Sequence, residues 1–294
     1  MSGYTEKKLP ILLDTDIGSD IDDALCLAYL LKQPACELLG ITTVSGEPEK
    51  RAMLADAICR WAGRTDIPIR PGAARPLLGE SRQPAVPQAA VLGNWRHRED
   101  FPNHDAVRFL RETIRSRPHE VTLLAIGPLT NVALLFAVDP EIPGLLKQLV
   151  MMCGSLNGLE WNALVDPVAC AMVFQADAAA HLTVPLDVTT RCVLPGERAR
   201  AEIRGGVLDP VAEMSAIWLR ERDSIVFHDP LAAALVFAPE LCRYAQGRIT
   251  VELQSTRLAG FTHWDPAGGV GPHRVACSVE AEGFFDHYFR TVRD

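Results

Sequence analysis

An apolar run, Leu9-Pro10-Ile11-Leu12-Leu13, passes directly into Asp14-Thr15-Asp16-Ile17-Gly18-Ser19-Asp20-Ile21-Asp22-Asp23 and then into Ala24-Leu25-Cys26-Leu27-Ala28-Tyr29-Leu30-Leu31. The first part reads as a buried strand and the last as a helix packed against a sheet. Five carboxylates therefore share one strand-to-helix turn, at the C-terminal end of a strand, where open α/β sheets place their ligands. Like charges this close raise one another's pKa values, and a hard divalent cation bound through several oxygens removes that penalty. Helix capping uses one Asp, or two with the helix dipole, which leaves most of the cluster unexplained. An EF-hand loop starting at Asp14 would need Gly and Glu where Ser19 and Leu25 stand. An aspartyl phosphohydrolase suits the Asp14-x-Asp16 pair better. Those enzymes, however, usually follow the second Asp with an apolar residue and then Thr or Val, and this chain has Gly18 there.

Moving outward, Glu37–Val44 reads as a second buried strand, which completes a βαβ unit with a parallel pair and a right-handed crossover. Pro48 suits a helix start, and Met53, Leu54, Ala57, Ile58 and Trp61 form its apolar face, with a short strand at Ile67–Ile69 after it. From Pro71 to Asn103 no period survives. Long aperiodic segments of this kind are commonly functional, so 71–103 is read as a long irregular loop or lid, with Trp95 available for a base or an oligomer contact. Regular structure resumes with a helix at 105–117, a strand at 121–126, the turn Gly127-Pro128-Leu129-Thr130-Asn131, and a helix. Strands at 148–152 and 181–184, a helix opened by Asp166-Pro167 and another by Asp229-Pro230 follow. Strands at 248–253 and 275–279 and a helix at 282–292 close the chain, so residues 1–294 are read as a single α/β domain.

A net charge of −8 disfavours nucleic acid or an anionic membrane as partner. No apolar run approaches the roughly 20 residues of a membrane span, and the N-terminus lacks an apolar signal core. Eight scattered cysteines without a Cys-x-x-Cys pair read as reduced and structural, which suggests a cytoplasmic protein.

The Asp-rich stretch resembles the N-terminal signature of the nucleoside hydrolases, the inosine–uridine-preferring N-ribohydrolase family, in which an Asp-x-Asp-x-Gly…Asp-Asp-Ala segment holds calcium. Here three residues (Ser19, Asp20, Ile21) separate Gly18 from Asp22-Asp23, where the commoner form has one. The turn Gly127-Pro128-Leu129-Thr130-Asn131, the pair Glu160-x-Asn162 and the segment His228-Asp229-Pro230 extend the resemblance over nearly the whole chain. It implies a Rossmann-like nucleoside hydrolase architecture: α/β, with an open, mostly parallel mixed sheet flanked by helices. It also implies calcium-dependent hydrolysis of the N-glycosidic bond of ribonucleosides, giving ribose and a free base, with a role in nucleoside salvage.

Carried over residue by residue, the resemblance makes Asp16, Asp23, the Ile126 carbonyl and Asp229 the Ca2+ ligands. Asp16 becomes the general base and His228 the acid for the departing base. Asp22 or Asp20, Glu47, Asn157, Glu160 and Asn162 would contact the ribose. Glu47 replaces the Asn that usually follows Thr-Thr-Val-x-Gly, which is expected to alter the accepted ribosides. A homo-oligomer, dimer or tetramer, is expected by analogy. Two alternatives are a metal-dependent phosphohydrolase, marked by release of inorganic phosphate, and a non-catalytic riboside-binding protein, marked by binding without turnover.

Overall fold

The expected parallel pair forms between β1 (Leu9–Thr15) and β2 (Cys36–Thr43), joined through the helix Asp22–Lys32. The computed structural model describes residues 8–102, 105–266 and 269–293. Further strands are β3 (Ile69–Pro71), β4 (Thr122–Ala125), β5 (Gln148–Met152), β6 (Asn157–Leu159) and β7 (His181–Val184). They are followed by β8 (Val193–Pro195), β9 (Ser224–Val226), β10 (Cys242–Val251), β11 (Phe261–Asp265) and β12 (His273–Val279). Ten strands make one sheet in the order β3-β2-β1-β4-β5-β7-β12-β10-β11-β6, and β8 and β9 pair separately. The run from β3 to β12 is parallel, and β10, β11 and β6 are added antiparallel.

The apolar runs at Ile11–Leu13, Leu123–Ala125 and Leu149–Met151 are wholly buried, as strands covered by helices on both faces must be. From β1 the chain winds outward to β2 and β3, then returns to β4 and winds the other way through β5 and β7. The order reverses between β1 and β4, so the loops leaving those two strands flank a crevice at their C-terminal ends. One of these loops is Asp16–Ile21, and the other begins at Ile126. No described helix is long and apolar enough to cross a membrane. The eight cysteines are free, seven of them buried.

Where the sequence reading fell short, the pattern was weak. β10 begins at Cys242 rather than Arg248, β6 and β11 were not anticipated, and 71–103 contains a 3-10 helix, Pro87–Asn94. β6 is three residues long and lies mostly at the surface, too short for a period of two to register.

The sheet also buries an unusual polar pair. The rings of His181 on β7 and His273 on β12 lie 4.5 Å apart beside Phe174. His273 accepts from the Ile249 amide and bonds the Phe174 carbonyl, whereas neither nitrogen of His181 has a partner among the described residues. Burial pushes His181 down to about 3, so it stays neutral in the fold. The unfolded chain binds that proton near pH 6.5, so His181 costs stability progressively as pH falls from about 6.5 toward 3. His181→Phe should therefore gain on the wild type by about 2 kcal/mol between pH 7 and pH 5, in paired urea titrations. A gap that does not widen in acid would contradict this account.

Candidate active site

The turn after β1 is held from behind by a side chain with no exposed surface. Arg51, on the helix Pro48–Trp61, donates through Nε to the Ser45 carbonyl (2.8 Å). Its Nη1 reaches the carbonyls of Asp16 and Ile17 and the Ser19 hydroxyl. A buried guanidinium thus ties down the loop backbone and lends positive charge to the acids above it. Asp14 belongs to this scaffold. Its Oδ1 accepts from Asn131 Nδ2 (2.7 Å) and the Thr42 hydroxyl, and burial pushes it up to about 7. Asn131 also donates to the Thr43 carbonyl, and Thr130 donates to Asp166 Oδ2 (2.6 Å). Asp166 in turn caps the helix Pro167–Gln175 at the Ala169 amide. The Thr-Asn of the turn after β4 therefore brace neighbouring loops.

Above this scaffold lies a cavity of about 580 Å³. Asp16, Asp20, Asp22, Asp23, Ile126, Glu160, Asn162, His228 and Asp229 all line it. Asp22, Asp23 and Asp229 form the tightest group, each offering a carboxylate oxygen within 4.8 Å of the others. All three are buried, and burial first, then the neighbouring aspartates, holds each well above the usual carboxylate range. None has a Lys or Arg ion-pair partner among the described residues. Asp22 Oδ2 accepts from the Asp229 amide (3.0 Å) and Asp23 Oδ1 from the Thr15 hydroxyl, which fixes both carboxylates with oxygens to spare. Hard oxygen donors in this number, buried with no ion-pair partner and only Arg51 behind the loop opposing their charge, fit a divalent cation such as calcium. Asp16 stands beside the trio. Burial raises its pKa, and Arg51 and the Gln83 amide oppose that shift.

Across the cavity, Glu160 caps the helix Trp161–Val165 by accepting from the Asn162 and Ala163 amides, and it also accepts from the Gly154 amide. Burial pushes it up to about 7. The Asn162 side chain donates to the carbonyls of Ile126 (2.8 Å) and Met152 (3.0 Å), tying the end of β5 to the residue after β4. His228 opens the helix His228–Phe237, and its Nδ1 lies 2.7 Å from the Thr189 hydroxyl. The Thr189 hydroxyl also lies 3.3 Å from the Leu186 carbonyl, so Thr189 either gives its proton to Nδ1 or accepts one from it. Burial lowers His228 to about 4, so the imidazole is neutral at physiological pH.

Two of the expected residues do not reach the cavity. Glu47 precedes the helix Pro48–Trp61 after a turn with positive φ at Ser45 and Gly46, and its half-exposed side chain pairs with Lys50 (2.6 Å). Asn157 lies exposed on β6, with Oδ1 2.6 Å from His263 Nδ1. Trp95 packs edge-on against Trp61, with ring centroids 5.0 Å apart, and is not a cavity residue. Conversely, Arg82 and Gln83 from the long loop, together with Trp161, Trp218 and Arg222, line the cavity without having been singled out. No spacing rule flags them. Arg51 gave no signal either, since it follows Lys50 directly on the same helix.

Residues 11–286 match the model of the inosine-uridine preferring nucleoside hydrolase family. The chain belongs to the nucleoside hydrolase family. It is 32% identical to the pyrimidine-specific ribonucleoside hydrolase RihA of Escherichia coli, over 95% of this chain and 96% of that one. It is 28% identical to uridine nucleosidase 1 of Arabidopsis thaliana, over 94% and 91% of the two chains. Among solved structures, the plant nucleoside hydrolase PpNRh1 superposes with a TM-score of 0.84 at 24% identity, over 97% of this chain and 98% of its own. The inosine-uridine preferring nucleoside hydrolase of Bacillus anthracis does so with a TM-score of 0.80 at 22% identity, over 98% and 99%. This nucleoside hydrolase is accordingly an enzyme that cleaves N-glycosidic bonds, and its fold is the α/β architecture expected from the sequence. The phosphohydrolase alternative falls with that assignment. Asp14, the nucleophile it would have used, is turned into the scaffold.

Proposed function

We propose that this nucleoside hydrolase uses calcium to hydrolyse ribonucleosides to ribose and a free base. The observation that carries the reading is the buried trio Asp22, Asp23 and Asp229, which has no Lys or Arg ion-pair partner among the described residues, inside a cavity also lined by Asp16 and His228. Asp23 and Asp229, with Asp16 and the Ile126 carbonyl, would hold the ion. Asp22 Oδ1 remains for the ion or for a sugar hydroxyl. When bound, calcium supplies a hard Lewis acid that holds sugar hydroxyls and a water.

The remaining chemistry belongs to the side chains. As the base departs, positive charge grows on the sugar ring, and the surrounding carboxylates favour it. Asp16, made more basic by burial, accepts the proton of the attacking water. Glu160 and Asn162, fixed by their backbone bonds, bound the ribose side of the cavity. Neutral His228, in the tautomer that accepts the Thr189 hydroxyl at Nδ1, donates a hydrogen bond from Nε2 to the leaving base and offsets the negative charge developing there.

The reading is tested by measuring free base and reducing sugar from a panel of natural nucleosides and from a nitrophenyl riboside, for wild type and His228→Ala. Natural substrates should lose about 100-fold or more in kcat on substitution. The nitrophenyl riboside, whose leaving group needs no such help, should lose under about tenfold. Equal losses on both would remove His228 from the leaving-group step. A wild type that binds nucleosides without releasing base would point to the non-catalytic alternative.

A further inference from the structure

We infer that Gln83 is a positioning residue for Asp16, and that Ser19 and Asp20 in the lengthened aspartate loop form the ledge on which its segment is seated. The inference rests on Asp16 serving the hydrolysis proposed above. Gln83 is 7% exposed, although its neighbours Arg82 and Pro84 are exposed. Its Nε2 donates to Asp16 Oδ2 at 2.7 Å and to the Ser19 hydroxyl at 2.8 Å, and its Oε1 accepts from Trp161 Nε1 at 2.8 Å. The amide has only one workable orientation, because an indole N–H is solely a donor and must face the amide oxygen. That leaves the NH2 group for Asp16. Gln83 thus fixes one oxygen of Asp16, leaves the other free, and joins Asp16 to the residue between Glu160 and Asn162.

The segment that delivers Gln83 is seated at several independent points. Gln88 donates from its backbone to the Gly18 carbonyl (3.1 Å) and from Nε2 to the carbonyls of Asp20 (2.9 Å) and Ser19 (3.2 Å). The Ser19 hydroxyl points back at the Ala85 carbonyl (3.4 Å). Gly18, at φ +112°, lets Val86 approach to where a Cβ would lie 2.4 Å from its Cγ1. Gly46, at φ +61°, leaves room for the Gln83 carbonyl, which a Cβ would meet at 2.3 Å. Ser19 and Asp20, part of the longer-than-usual spacer, are thus the residues that residues 83–88 grip. The lengthened loop and the long loop act as one wall of the site, and an amide reaches Asp16 from residue 83 while the acid at Glu47 faces Lys50.

The test compares wild type with Gln83→Met, which keeps length and bulk but has no donor, Gln83→Glu, and Trp161→Phe. Gln83→Met should lower kcat about 30-fold with KM changed less than about threefold, because a carboxylate free to swing loses its alignment. Gln83→Glu should lose at least as much. Trp161→Phe, which frees the amide to turn over, should lose about fivefold. Calorimetric calcium titration supplies a second readout, with weaker binding expected in Gln83→Met. Unchanged kcat and unchanged calcium affinity in Gln83→Met would overturn the inference, as would a rise in KM alone, which marks a substrate contact. Failure of the wild type on every riboside would sink the hydrolase reading instead. Equal activity of wild type and Gln83→Met would sink only the role of Gln83.

Discussion

Asp16→Asn is expected to lower kcat on a natural nucleoside by about 10⁴-fold, the upper range for loss of a positioned general base, while the calcium-free protein unfolds at a higher temperature than wild type. The two effects have one cause. Asp16 is 6% exposed and lies in the field of Asp20, Asp22, Asp23, Asp229 and Glu160, whose pKa values its charge helps to raise. Removing that charge relieves repulsion throughout the cluster, and removing the basic oxygen stops proton transfer from water. Asparagine keeps the shape and can turn its carbonyl oxygen to the Gln83 amide, and the Arg51 contact is to the Asp16 backbone, so the loop should keep its course. Activity and stability then move in opposite directions, as expected where an active site is built against the preferences of the fold. Steady-state kinetics and melts in chelator check both halves. An Asn variant retaining more than about a hundredth of wild-type kcat would dismiss Asp16 as the base.

The sequence made the fold and most of the site readable because those features are local. Apolar strands between helices announce a parallel sheet, and the aspartates clustered at the end of the first strand mark its C-terminal edge as the candidate site. Ile126 came only from the family resemblance, because a carbonyl needs no particular side chain, and it lines the cavity. Glu47 and Asn157 show the limit. A short motif gives spacing along the chain but not side-chain direction, and Glu47 turns toward Lys50 while Asn157 meets His263 on a strand too short to announce itself. Gln83, Arg51 and Thr189 were harder still. Their partners lie 67, 35 and 39 positions away, and each is an ordinary polar residue until the chain closes around it.

Calcium added to chelated protein at pH 7.5 should raise its unfolding midpoint substantially, and the gain should shrink as pH falls. Asp22, Asp23 and Asp229 have folded pKa values raised by burial and by one another. A carboxyl raised in this way stabilises the fold fully below its unfolded pKa near 4, and that contribution is lost as pH rises through the folded value. The calcium-free protein is therefore weakened toward neutral pH, where the three groups are pressed to ionise in a buried space. An ion that binds only the ionised set reverses the preference, and its binding releases protons and tightens as pH rises. With free calcium at about 1,000 times its dissociation constant, the fold gains roughly 4 kcal/mol, equivalent to about 6–7 °C in a chain of this size. At pH 5 the shift should fall to less than half of that, because protons compete for the same oxygens. Asp229→Asn keeps the helix start but removes one charged ligand, so it should stabilise the chelated protein and lose most of the calcium response. Scanning fluorimetry across pH, with and without calcium, reads all of these together. A midpoint indifferent to calcium at every pH would mean that the trio is held by the fold alone, and the calcium reading would fail with it.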